Sequence, residues 1–188
     1  MRNKAIPGLC AAMLLVACSA HAQVIPRTFA GLLQQNAMQY SIPSGFVVTP
    51  VANNADVAYD FAIKSSTSKL EIRYRIWPVD LTNHGGANRN RIYPVMVHTM
   101  GLNISNGQTM QVKKYDPGDV RMEFGADGGA TGTVRLDSKF GEGYKICMIS
   151  AIHKDNLCDA YTFFLCDDPD VLMKALFADR VYHALRFR

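Results

Sequence analysis

The most polar stretch of the chain is the loop at 78–91, where Asp80 and His84 precede the run Gly85-Gly86-Ala87-Asn88-Arg89-Asn90-Arg91. His84, Arg89 and Arg91, with backbone N–H groups at the start of the next helix, are a donor set for an anion or a glycan. The same composition also describes a solvated surface loop. Tyr74 and Trp77 lie just upstream, so Tyr74, Trp77, His84, Arg89 and Arg91 together form the candidate binding surface. His153 and Asp155 stand close enough to pair at a hairpin end, but no residue near them in sequence completes a catalytic triad. His98 and His183 fall on helical stretches and read as surface or packing residues.

Several activities lose their support on motif grounds. The stretch from Gly125 to Gly132 lacks the GKS or GKT of a phosphate loop. It also precedes a strand, whereas a dinucleotide fingerprint follows one. GxSxG, HExxH and paired-carboxylate motifs are missing, which leaves only a dispersed site for an enzyme. The downstream cysteines Cys147, Cys158 and Cys166 lack the CxxC spacing of structural zinc, so no metal or cofactor is expected.

Three cysteines in an exported domain suggest one disulfide and one spare thiol. If Lys154 pairs with Asp159 in the last hairpin, Cys147 stands directly opposite Cys166, near disulfide reach. A tighter turn sets Cys147 against Phe164 instead. The other reading is that all three are buried, reduced thiols packing as small apolar residues.

Export is indicated by residues 1–22: basic Arg2 and Lys4, a mostly apolar run from Ala5 to Val16, and the small-x-small site Ala20-His21-Ala22. Leu15-Val16-Ala17-Cys18 also has lipobox form, in which Cys18 is acylated. The expected place is the periplasm, either soluble or held to the membrane through lipidated Cys18. Residues 23–188 then make one globular domain. The chain carries 20 Lys and Arg against 16 Asp and Glu, a net charge of +4. Arg2 and Lys4 leave with the signal, so the mature surplus is about half that, too small to suggest nucleic-acid binding.

The elements that must position these residues follow from apolar spacing. Phe29, Leu32, Leu33, Asn36 and Met38 predict a helix over 28–40 with Thr28 as cap. Strands are predicted at 46–50, 58–64 and 69–77. In the last of these Leu70, Ile72, Tyr74 and Ile76 face a core, while Glu71, Arg73 and Arg75 are wet or under something polar. A helix is predicted over 91–104, with Asn90 as cap and Pro94 in its first turn. A second is predicted over 116–124, with Asp116 as cap and Pro117 at the first position. A glycine-rich turn at 125–132 then leads to a strand at 131–136. The runs 144–153 and 159–166 are apolar on both sides, which requires cover on both faces of the sheet. Asp168-Pro169-Asp170 opens a final helix whose apolar stripe continues through Val181 and Leu185, with Arg186 and Arg188 at its negative end.

This order, with Ile42-Pro43-Ser44-Gly45-Phe46 early and Ala184-Leu185-Arg186-Phe187 at the end, resembles the Mog1/PsbP-like family, which includes DcrB-type exported proteins and lipoproteins. The resemblance spans about residues 28–188, with a helical segment at 91–124 as a departure. It implies an α+β fold: a largely antiparallel sheet covered by helices on both faces, an α/β/α sandwich. It also implies a non-catalytic binding or accessory role, without a catalytic motif to carry over. The expected function is therefore an exported envelope protein that binds a protein partner or small ligand. The alternative is an envelope hydrolase with a dispersed site near 78–91 and His153.

Overall fold

A computed structural model describes residues 24–80, 91–137 and 139–188. Residues 1–22, with Cys18, lie outside the described residues, as do His84 and Arg89. In chain order the elements are α1 (Arg27–Gln35), β1 (Met38–Tyr40), β2 (Phe46–Thr49), β3 (Phe61–Ser65), β4 (Leu70–Pro78), α2 (Tyr93–Ile104), β5 (Val112–Lys114), α3 (Pro117–Phe124), β6 (Gly128–Arg135), β7 (Ile146–Lys154), β8 (Cys158–Cys166), α4 (Pro169–Phe177) and β9 (Leu185–Phe187). Short 3-10 turns occupy Lys139–Gly141 and Val181–Ala184.

Strands β2-β3-β4-β8-β7-β6-β5 pair in that order, antiparallel throughout, into a seven-stranded sheet. The strands apolar on both sides, β7 and β8, sit in its middle, as their composition requires. One face carries Phe29 and Leu33 of α1, Val120 and Phe124 of α3, and Leu172 and Leu176 of α4 over Ile72, Phe164 and Ile152. The other carries Val97, Met100 and Ile104 of α2, with Phe140, over Ile149, Phe163 and Leu165. The fold is an α+β, α/β/α sandwich, as the element order implies.

The differences from expectation have local causes. The first helix stops at Gln35 because Ala37 turns left-handed (φ 49°), which frees Met38–Tyr40 to become β1. Pro26, not Thr28, precedes it, and no side chain caps it. The final helix stops at Phe177; Arg180 is left-handed, and Leu185–Phe187 pairs with Met38–Tyr40 as a two-stranded ribbon. Arg186 therefore stands on a strand and not at a helix end. Asp116 does cap α3, accepting from the Gly118 and Asp119 N–H groups at 2.7 and 3.3 Å. Asp168 does the same for α4.

The presumed glycine-rich turn is largely strand β6. Its glycines make room for neighbours: a Cβ on Gly128 would meet Tyr93 Oη at 2.5 Å, and one on Gly129 would meet Tyr115 Cδ2 at 2.5 Å. The polar side of β4 is not wet. Arg73 is fully buried, its Nε donates to Glu71 Oε1 at 2.6 Å, its Nη1 donates to Phe140 O at 2.7 Å, and its guanidinium lies over the Tyr59 and Phe140 rings.

The last hairpin corrects the disulfide. Its connection is the three residues 155–157, with Asn156 left-handed, so Lys154 pairs with Cys158. This register lies between the two considered. Cys147 pairs with Leu165, and Cys166 with Ile146. Successive residues of a strand point to opposite faces. Cys147 therefore packs under α2, and Cys166 in the opposite core. Cys147, Cys158 and Cys166 are all free, buried thiols.

Candidate functional site

Of the expected binding surface, Tyr74, Trp77 and Arg91 are among the described residues, and Tyr74 does not share a face with Trp77. Tyr74 is core, 1% exposed, stacked on Phe61 and edge-on to Tyr40. It points into the face opposite Trp77's, since β4 alternates. Burial of the Tyr74 phenol drives its pKa well up. Trp77 is half-buried against the α2-side core, with the Arg75 guanidinium 5.9 Å from its ring centroid. Arg91 is exposed just ahead of α2.

One part of that region does come together. Register places Trp77, Asp159, His153 and Gly128 in one row across β4, β8, β7 and β6. Adjacent strands bring such a row into side-chain contact on a single face. His153 Nδ1 lies 2.6 Å from Asp159 Oδ1, and its Nε2 lies 2.9 Å from Asp155 Oδ1. Tyr161 Oη donates to Asp159 Oδ2 at 3.2 Å, and the Tyr93 ring stacks on His153 at 5.0 Å. Asp159 was invisible as a partner in sequence because it sits six residues away, across the hairpin. The signal that finds it is register arithmetic on that hairpin.

With a carboxylate at each nitrogen, the imidazole is arranged to donate from both. Burial alone would lower its pKa, but the hydrogen bonds and charges of Asp159 and Asp155 raise it overall. A triad histidine keeps one nitrogen for its orienting acid and the other for the nucleophile. Here the second nitrogen is taken by Asp155. The cluster is thus built to hold an imidazolium and to tie β7 to β8. The three thiols are equally unsuited to chemistry. Burial, chiefly, raises all of them, Cys158 up to about 12, which keeps them protonated.

Two openings among the described residues lie on the other face. Between α3 and α4 runs a groove of about 420 Å³. Met148 and Ser150 of β7 and Thr131 of β6 form its floor; Val120 and Phe124 make one wall; Met173, Leu176 and Phe177 make the other. Met173 and Phe177 are 50% and 68% exposed, high for large apolar side chains. Tyr115 Oη and Ser150 Oγ lie 2.9 Å apart within the groove, and Asp116, Asp119 and Glu123 edge it along α3. Beyond Glu123 lies a second recess, of about 540 Å³, between α3 and the β1–β9 ribbon. Among the described residues, no group of His, Cys, Asp and Glu is arranged to hold a metal. No helix among them is long and apolar enough to cross a membrane.

Fold and openings together define a three-layer α/β/α sandwich with ligand-sized recesses on one face. No family model and no curated protein matches the chain. Among solved structures, it is similar to the solution structure of cyanobacterial PsbP (CyanoP) from Synechocystis sp. PCC 6803. The two are 14% identical over 81% of this chain and 88% of that one, with a TM-score of 0.43.

Proposed function

We propose that this protein is an exported, non-catalytic binding module of the bacterial cell envelope that receives an apolar segment of a protein partner in the α3–α4 groove. The observation that carries this reading is the groove itself: exposed Met173 and Phe177 beside a floor of sheet residues, in the size range of ligand sites. Three carboxylates along one edge set the partner's chemistry, favouring apolar residues flanked by Lys or Arg. An amphipathic helix laid in such a groove is a recurring mode of recognition. Export rests on residues 1–22, with either cleavage after Ala22 or lipidation of Cys18. The resemblance of Ile42-Pro43-Ser44-Gly45-Phe46 and the Leu185-Arg186-Phe187 ending to DcrB-type proteins points the same way. The clamped state of both His153 nitrogens speaks against the hydrolase alternative.

The test is fluorescence anisotropy with two labelled amphipathic peptides, one built of Leu and Lys and the other of Leu and Glu. The Lys peptide should bind and the Glu peptide should not. Burying a Phe side chain is worth about 1.5–3 kcal/mol, so Phe177→Asp should weaken binding about tenfold or more. Equal binding of the two peptides, or binding unchanged by Phe177→Asp and Met173→Asp, would refute the groove as the seat.

A further inference from the structure

We propose that the recess between α3 and the β1–β9 ribbon binds the phosphate group of an organic ligand through Arg180 and Arg186. This site shares only Glu123 with the groove and stands without it.

Both arginines line the recess, and neither makes an ion pair with a described carboxylate. An arginine fork matches phosphate oxygens two at a time, and two such cations suit the phosphate of a mono- or diester. Arg186 is already oriented. Gln39 stands opposite it in the ribbon; with its amide turned so that Oε1 faces the arginine, that oxygen accepts from Arg186 Nε at 2.6 Å and Nη2 at 3.1 Å. That pair fixes the guanidinium plane and leaves Nη1 for a ligand. Arg180 is held at φ 51° and ψ 34°, a left-handed conformation that glycine would adopt without strain. The chain instead carries a long cation at this corner, the kind of local strain that gathers at binding sites.

The other charged lining groups do not cancel this field. Glu123 is the one carboxylate in the lining, and its Oε2 lies 3.2 Å from His183 Nε2. His183 packs in turn against the tilted rings of Tyr182 and Phe124. The surplus is therefore positive. A volume of about 540 Å³ exceeds what a bare phosphate fills, so the ligand carries an organic part. A soluble phosphate ester and an anionic lipid headgroup offer the same chemistry.

The experiment measures binding of glycerol 3-phosphate by calorimetry and binding of phosphatidylglycerol against phosphatidylcholine vesicles by flotation, using the whole purified chain. Arg180→Gly and Arg186→Gln should each weaken glycerol 3-phosphate binding about tenfold or more. Arg180→Gly should also leave the melting temperature unchanged or raised, because it relieves the left-handed strain; a merely structural role for Arg180 would lower it. Selective flotation with phosphatidylglycerol that glycerol 3-phosphate competes away identifies the headgroup as source. Binding of glycerol 3-phosphate without flotation identifies a soluble ester. Binding of neither, or binding unchanged in both variants, overturns the proposal.

Discussion

Replacing Asp159 by Asn should invert the titration of His153. In the wild-type chain burial lowers the pKa of this histidine, while its two carboxylate partners more than compensate and hold it above 6.5. Asp159→Asn keeps the burial and removes the nearer partner, the one at 2.6 Å with both side chains 2% exposed. Asp155 is 55% exposed and lies at 2.9 Å, so solvent weakens its pull. Burial should then win, and the midpoint should fall below 6.5. The stability consequence has a fixed sign. With the folded pKa raised, the protonated form contributes fully below pH 6.5 and is lost as pH rises through the folded midpoint. Removing one partner of a buried pair costs about 3–5 kcal/mol. The gap between wild type and variant should therefore be widest in acid. It should narrow on going alkaline by about 1.4 kcal/mol for each unit separating the two folded midpoints. Imidazole C–H shifts followed by NMR give the midpoints, and urea denaturation at about pH 5.5 and pH 9 gives the gap. A variant midpoint still above 6.5, or a gap indifferent to pH, would show that Asp159 does not govern this histidine.

Arg73→Met should destabilise the chain by about 3–5 kcal/mol, because it strands Glu71 in the core without its cation. Arg73→Met combined with Glu71→Leu should recover most of that in urea melts, and a double variant as weak as the single would sink the pairing argument. Cys147, Cys158 and Cys166 should resist alkylation in the native protein and all react once it is unfolded. A peptide crosslinking 147 to 166 in non-reduced digests would contradict the observed register.

Period and capping were legible in the sequence. Asp116-Pro117 and Asp168-Pro169 mark helix starts correctly because an N-cap is a local hydrogen bond between residues two or three apart. The doubly apolar strands β7 and β8 revealed a covered sheet for an equally local reason. What failed depended on distant partners. Met38–Tyr40 and Leu185–Phe187 extend helical patterns in sequence, and only their mutual pairing makes them strands. Glu71 and Arg73 alternate as a face either wet or under something polar, and only Phe140, brought from far along the chain, decides for cover. Cys147 and Cys166 missed each other because one residue in a turn flips every side chain beyond it.

The same dependence decides where function sits. The face beneath α2 holds the groups that look most chemical in sequence, Arg73, Glu71, His153 and Asp159, and each is buried with a charged partner at short range. A charge in that position must be paired, because an unpaired one costs several kcal/mol. Its pairing leaves it little to offer a ligand. The opposite face is covered by short helices: α3 ends at Phe124, α4 ends at Phe177, and the chain between α4 and β9 turns on a left-handed arginine. Short covers on a wide sheet leave gaps, and the gaps expose Met173, Phe177, Arg180 and Arg186. These residues have no motif, yet they put exposed apolar surface beside charge that no described carboxylate pairs. Recognition needs both, and on this face they adjoin.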